Sequence, residues 1–189
     1  MSVKQKYSGA PWLYSETTGD IVGVKDPDGS EFFFSRASNF GLFQALADQT
    51  ATANTPTVMA FDTALAEVGV TLSGNKLYFD RGGWFKFEMT AQVINEDSQI
   101  EDLHLWGRLN GTDIPNTATR VCVTESHGGE PGALVFERSY FANVNAGDYI
   151  EVVFMVEDAQ LKLKTTASTT SPDMPSGPAV NLIVYEVAQ

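Results

Sequence analysis

Two histidines, His104 and His127, and one cysteine, Cys122, are the side chains of this 189-residue sequence with the most obvious capacity to bind a metal or attack a carbon centre. A nucleophilic site needs a base beside the nucleophile and a third group that orients the base. His104 falls on the polar side of an alternating run, and His127 precedes the Gly-rich stretch Gly128-Gly129-Glu130-Pro131-Gly132. No Asn or Asp is placed to orient either ring, and a zinc site would need several more Cys or His at ligand spacing. Carboxylates offer other chemistry. Glu96, Asp97, Glu101 and Asp102 form an acidic connection between strands, and a carboxylate pair can cleave a glycosidic bond. Such connections are ordinarily just solvated and charged. Asp26, Asp28, Ser30 and Glu31 suggest a calcium loop, but an EF-hand wants Gly sixth and Glu twelfth. Counted from Asp26, Gly29 is fourth and position twelve is Ala37, so a turn accounts for these residues. The expectation is no catalytic residue, no metal and no cofactor.

Composition supports that expectation. The sequence carries 12 basic and 24 acidic residues, a net charge of −12, which repels phosphate and excludes nucleic-acid binding as the main task. Charged residues are only 19% and apolar residues 43%, a globular composition suited to strands and turns. A single cysteine rules out a disulfide within the chain and reads as a small apolar residue on a strand. The polar N-terminal run lacks the apolar core of a signal peptide, and no run of about 18 apolar residues could span a membrane. A soluble protein made in a cytoplasm is expected.

The elements that would position these side chains are short and β-rich. Residues 1–50 have a net charge of −2 and residues 51–189 a net of −10. The change coincides with Thr50 to Thr57 (TATANTPT), a small polar run that reads as a linker. Residues 1–50 then form an N-terminal arm, 51–57 a linker and 58–189 the main domain. In the arm, Trp12-Leu13-Tyr14, Ile21 to Val24 and Glu31 to Phe34 read as strands between turns, and Asn39 could cap a short helix from Phe40 to Asp48. The arm is too small to bury Trp12, Phe32, Phe33, Phe34, Phe40 and Phe43 alone, so it should pack on something else.

In the main domain, Phe85, Phe87, Met89, Ala91 and Val93 alternate with Trp84, Lys86, Glu88, Thr90 and Gln92. Leu103, Leu105 and Leu109 alternate with Asp102, His104, Trp106 and Arg108, and Asn110-Gly111 follows as a strong hairpin signal. Leu161 and Leu163 alternate with Lys162 and Lys164. Many short strands with regular turns mean a sandwich or barrel. Two strands are apolar on faces that should be wet. Beside the Ile150, Val152, Phe154, Val156 face stand Tyr149, Glu151, Val153 and Met155; beside Val180, Leu182 and Val184 stand Ile183, Tyr185 and Val187. An antiparallel sheet usually leaves one face to solvent, so these faces meet either a partner subunit or a long loop. Exposed aromatics such as Trp106, with His127 and the segment Thr165 to Pro178, could bind sugars at loop tips, and Trp106 could equally anchor a subunit interface.

Several anchors occur in a familiar order: GNKLYFDRGGWFKFEMTAQV (Gly74 to Val93), WGRLNGTDIPNTATRV (Trp106 to Val121), VNAGDYIEVVF (Val144 to Phe154) and PSGPAVNLIVYEV (Pro175 to Val187). Together they cover roughly residues 56–189. This pattern resembles bacteriophage virion proteins of the tumour-necrosis-factor/C1q-like class. The resemblance implies an all-β, antiparallel two-sheet jelly roll that packs as a homotrimer, with structural or binding roles rather than catalysis. It would place Tyr149, Val153, Met155, Ile183 and Tyr185 at the trimer interface. PWLYSETTGDIVGVKDPDGSEFFF (Pro11 to Phe34) looks like the attachment segments before phage fibre or decoration domains, with Trp12, Tyr14, Phe32, Phe33 and Phe34 as attachment residues. Some C1q-like domains bind calcium, but no matching ligand cluster is found. The implied function is a non-enzymatic virion-surface protein, capsid decoration (cement) or head fibre, made in the host bacterial cytoplasm. It would bind capsid or another virion protein through residues 1–50 and contact neither nucleic acid nor membrane. The alternative is a tail-fibre tip or receptor-binding module that recognises a host-surface glycan.

Overall fold

The computed structural model describes residues 39–188 throughout and, before them, the backbone of four strands. These are β1 (Val3–Gln5), β2 (Trp12–Ser15), β3 (Ile21–Lys25) and β4 (Glu31–Phe33), paired in sequence order as an antiparallel sheet. The strands expected around Trp12, Ile21 and Glu31 are therefore present. Trp12 and Tyr14 stand on β2, and Phe32 and Phe33 on β4. Their side chains, together with Phe34 and the Asp26, Asp28 and Ser30 turn, lie outside the described residues.

A second compact unit spans residues 39–189. Its strands in chain order are β5 (Phe40–Ala45), β6 (Thr57–Val58), β7 (Thr63–Val68), β8 (Val70–Ser73), β9 (Lys76–Phe79) and β10 (Gly83–Asn95). There follow β11 (Glu101–Leu109), β12 (Thr112–Asp113), β13 (Thr119–Val123), β14 (Gly132–Val144), β15 (Tyr149–Val156) and β16 (Leu161–Leu163). A small hairpin of β17 (Thr169–Thr170) and β18 (Asp173–Met174) precedes the last strand, β19 (Val180–Ala188). The first sheet runs β14-β10-β19-β5-β7, with β16 extending the β19 column along β10. The second runs β12-β11-β15-β9-β8, with β13 beside β11 and β6 beside β15. All pairings within the two sheets are antiparallel, and the chain crosses repeatedly from one sheet to the other, which makes a jelly-roll sandwich.

The core is what the alternation dictates. Phe85, Phe87, Ala91 and Val93 of β10 meet Leu103 and Leu105 of β11 and Ile150, Val152, Phe154 and Val156 of β15, all buried. Phe79 packs edge-on against Phe85 at 4.7 Å between ring centroids, and Phe87 stacks on Tyr140 at 4.7 Å. Asn110 and Gly111 have φ of 49° and 80°, the left-handed pair that a two-residue hairpin requires.

Two expectations fail. The helix expected over Phe40 to Asp48 is strand β5, seated between β19 and β7. A short apolar run satisfies both periods, and here strand pairing decides. Phe43 and Ala45 point inward and are buried, while Phe40, Leu42 and Gln44 point out. The arm boundary therefore moves: the compact units meet between Ser38 and Asn39, not at residue 50. The expected linker 51–57 is a crossover inside the sandwich, tied to the second sheet by Asn54 N donating to Val156 O (2.7 Å) and Met59 N to Val152 O (2.8 Å). Apart from buried Ala51, its small polar residues are exposed or half-buried, so they carry no core face to read from the sequence.

The start of β5 is locked by a polar knot. Asn39 N donates to the Glu186 carboxylate (3.1 Å), Glu186 N to Asn39 O (2.8 Å), and Arg81 Nη2 to Asn39 Oδ1 (2.9 Å). Gly69 passes directly above, at φ +67°, and a Cβ there would come within 2.2 Å of Asn39 Oδ1. Gly69→Ala combines left-handed strain with a clash against a held side chain. It should lower stability by about 2 kcal/mol or more, read as a shifted urea midpoint at unchanged slope.

Candidate functional site

The outward side of the first sheet carries apolar side chains that the core does not explain. Register aligns Phe141, Lys86, Tyr185, Phe40 and Val68 in one row across five strands, and Ser139, Glu88, Ile183, Leu42 and Ala66 in the next. Ile183 is 41% exposed and Phe141 53%, and Phe40 and Val68 are also exposed. Few polar groups interrupt the rows. Lys86 pairs with Glu88 and lies 5.8 Å from the Tyr185 ring centroid. Its partner Glu88, and then Tyr185, hold the Lys86 ammonium above its ordinary pKa. The result is an apolar surface with its one central charge already neutralised, of the kind that marks a protein contact.

The other outward face behaves differently. Tyr149, Val153 and Met155 lie there, opposite Trp106 and His104 of β11 on one side and Val58 and Tyr78 on the other. Val153 is 0% exposed. Its strand neighbours Trp106 and Val58 flank it, and Trp106 is fixed by Nε1 donating to Asp113 Oδ1 at 2.7 Å. Tyr149 packs on Tyr78 at 5.6 Å, and Lys76 Nζ stands 4.2 Å from the Tyr149 ring. The five residues expected at one interface thus divide between opposite sides of the sandwich. Ile183 and Tyr185 join the apolar rows, whereas the apolar second face of β15 is largely covered by the chain itself. Trp106 is also not at a loop tip but in mid-strand.

Register brings together residues that were not expected to meet. Asp102 and His104 share the outward face of β11, with Cys122 and Arg120 of β13 on one side. On the other side Glu157 N donates to Asp102 O at 3.2 Å. His104 Nε2 lies 3.4 Å from Glu157 Oε1. Asp102, His104 and Glu157 each present a ligand atom within 4.8 Å of the others. Asp102 is buried, 5% exposed; one oxygen is paired with Arg120 Nη2 and the other, Oδ1, is buried without a hydrogen-bond partner. Nearby, burial and then the charges of Asp158, Asp97, Glu157 and Asp102 push the Glu101 carboxyl above its ordinary pKa. His127 stands apart in its exposed loop, bridged to Glu130, and Cys122 is exposed on β13. The Asp102-x-His104 spacing was visible in the sequence; that Glu157 would stand beside them depends on the β11–β15 register.

A groove of about 530 Å³ runs between β10, β14 and the chain after β16, lined among others by Val93, Leu134, Val135, Lys164, Thr169 and Met174. Asp48 fixes one edge of it, pairing with Lys164 and accepting from Thr165 N (2.8 Å) and Thr165 Oγ1 (2.6 Å).

No protein-family model matches the chain, and no curated protein matches it. Among solved structures, it is similar to the globular domain of zebrafish complement 1qA protein, at 10% identity and a TM-score of 0.49, over 81% of this chain and 99% of that one.

The Asp48 contacts carry a pH dependence. Hydrogen bonds from Lys164 and Thr165 hold this carboxyl down from 3.8 to about 2. A depressed carboxylate contributes stability that is present above its unfolded pKa and is lost as pH falls towards its folded one. Asp48→Asn should cost less than about 1 kcal/mol at pH 7, because the pair is solvent-screened. The gap from the natural chain should close between pH 4 and pH 2 in urea titrations.

Proposed function

We propose that this chain is a non-enzymatic structural protein of a bacteriophage virion, an external homotrimer fixed to the particle through its N-terminal unit, as capsid decoration or head fibre. The observation that carries the reading is the exposed apolar pair of rows on the first sheet, centred on Ile183, Tyr185, Phe40 and Phe141. An apolar face of this extent favours burial against a copy of the chain, and a three-fold ring joins it to an unlike surface of the next copy. The sequence anchors that resemble phage jelly-roll proteins, and a separate four-stranded unit before the sandwich, support the virion assignment. Charge favours decoration over adhesion. Residues 51–189 carry a net of −10, so three copies carry about −30, which keeps neighbouring trimers apart and weakens approach to anionic cell surfaces.

The alternative reading is a tail-fibre tip or glycan-binding module, favoured by the groove beside the β17–β18 hairpin. Locating the labelled protein on purified particles by electron microscopy separates the two. Saturable adsorption of the free protein to host cells that blocks infection would replace decoration with receptor binding.

Substitution separates interface from core. Ile183→Asp places a charge on an outward face, so it should give a folded monomer in sedimentation. Val153→Asp buries a charge inside the single chain and should instead abolish folding, a loss of about 3–5 kcal/mol. An unchanged trimer for Ile183→Asp would refute the assembly face.

Truncation tests attachment. Removing residues 1–38 should leave a soluble trimer that no longer decorates particles. Removing residues 1–50 also deletes β5 from the middle of the first sheet and should leave insoluble protein. Normal occupancy of particles by the 39–189 chain would show that the sandwich itself carries attachment.

A further inference from the structure

We propose that Asp102, His104 and Glu157 form a binding site for a divalent transition metal of the zinc type at the open end of the second sheet. The donors are one imidazole nitrogen and two carboxylate oxygens, a set that suits zinc and its neighbours better than calcium or magnesium, which take oxygen alone. The spacing is close to what such an ion needs. Bonds of roughly 2.1 Å at tetrahedral angles set neighbouring ligand atoms about 3.4 Å apart. His104 Nε2 and Glu157 Oε1 already stand at 3.4 Å, and the whole set lies within 4.8 Å.

A second observation is independent of that geometry. Asp102 is 5% exposed, and its Oδ1 is buried with no hydrogen-bond partner. Leaving a buried carboxylate oxygen unpaired is costly, and a cation beside His104 and Glu157 would satisfy it. The surroundings also favour positive charge. Asp97, Asp102, Glu157 and Asp158 all stand close enough to Glu101 to act on its charge, so five carboxylates share this end of the sheet. Arg120 is the opposing cation. It holds the other Asp102 oxygen, but its side chain is 67% exposed and can remain there or swing into solvent. Three protein ligands leave a fourth position for water or a group from a partner.

The probe is zinc chloride, titrated into the full chain by calorimetry, with calcium and magnesium chloride as comparisons. Cobalt(II) serves as a spectroscopic substitute. One zinc ion should bind per chain and raise the melting temperature, and cobalt(II) should give the intense visible bands of a four-coordinate centre. His104→Ala and Glu157→Gln should each weaken zinc binding by at least about tenfold. Their folding is checked by far-ultraviolet circular dichroism, and Glu157→Gln keeps the side-chain shape. His127→Ala should bind as the natural chain does, and Arg120→Ala should bind as well or more tightly. Absence of saturable one-to-one zinc binding would overturn the site. So would unchanged affinity in folded His104→Ala and Glu157→Gln chains, or loss of binding in His127→Ala alone.

Discussion

The sandwich depends on the register of β10. Its thirteen residues alternate without a break, and β14, β16 and β19 all pair with it. A slip of one residue would turn Trp84, Lys86 and Glu88 into the core and expel Phe85, Phe87 and Met89, a change no single loop could absorb. Because Phe85 and Phe87 are fixed in this way, Phe79 has one place to pack, and Tyr140 stacks on Phe87 from the neighbouring strand. The same register fixes the outward rows. Lys86 meets Tyr185 and Glu88 meets Ile183 only because Phe87 is held inward.

Strands with a clean period of two are legible from the residues alone. The β10 alternation, the Leu103 and Leu105 face, the Ile150 to Val156 face and the Asn110-Gly111 turn all appear where the residue types place them. Phe40 to Ala45 was not legible, because six residues of mixed size fit a helical stripe as well as a strand. What decides it is remote. Gly41 leaves room for the Phe43 ring, which would come within 2.4 Å of a Cβ at that position, and β19 arrives some 140 residues later to pair with the run. Thr50 to Thr57 misled for a related reason. Small polar residues mark flexible linkers, but they also serve in a crossover between two packed sheets, here from β5 to β6.

Site residues divide along the same line. Ile183 and Tyr185 were legible as a second apolar face because β19 is hydrophobic on both sides. Val153 followed the same rule and arrived at a different place. Its neighbour β11 contributes Trp106, and Val58 reaches it from a two-residue strand that carries almost no sequence signal. Periodicity states that a face is apolar; it does not state whether the covering group comes from the same chain. Asp102 and Glu157 illustrate the polar version, since each looks like an ordinary solvated carboxylate until strand pairing sets them side by side.

The two outer faces therefore have different physical roles. On the second sheet, cross-strand packing and pairs such as Trp106 with Asp113 and Arg108 with Asp113 complete the surface within one chain. On the first sheet, Lys86 pairs with Glu88 at the centre of the rows and Gln44 with Asn181 beside them, which leaves the surrounding rings and branched side chains uncovered. A paired charge costs less to bury than a lone one, because the partner offsets part of the water that both ions lose. It also makes contact with a charged surface less favourable than contact with an apolar one. Net acidity then acts at longer range, opposing random association of chains that short-range apolar contact would otherwise promote.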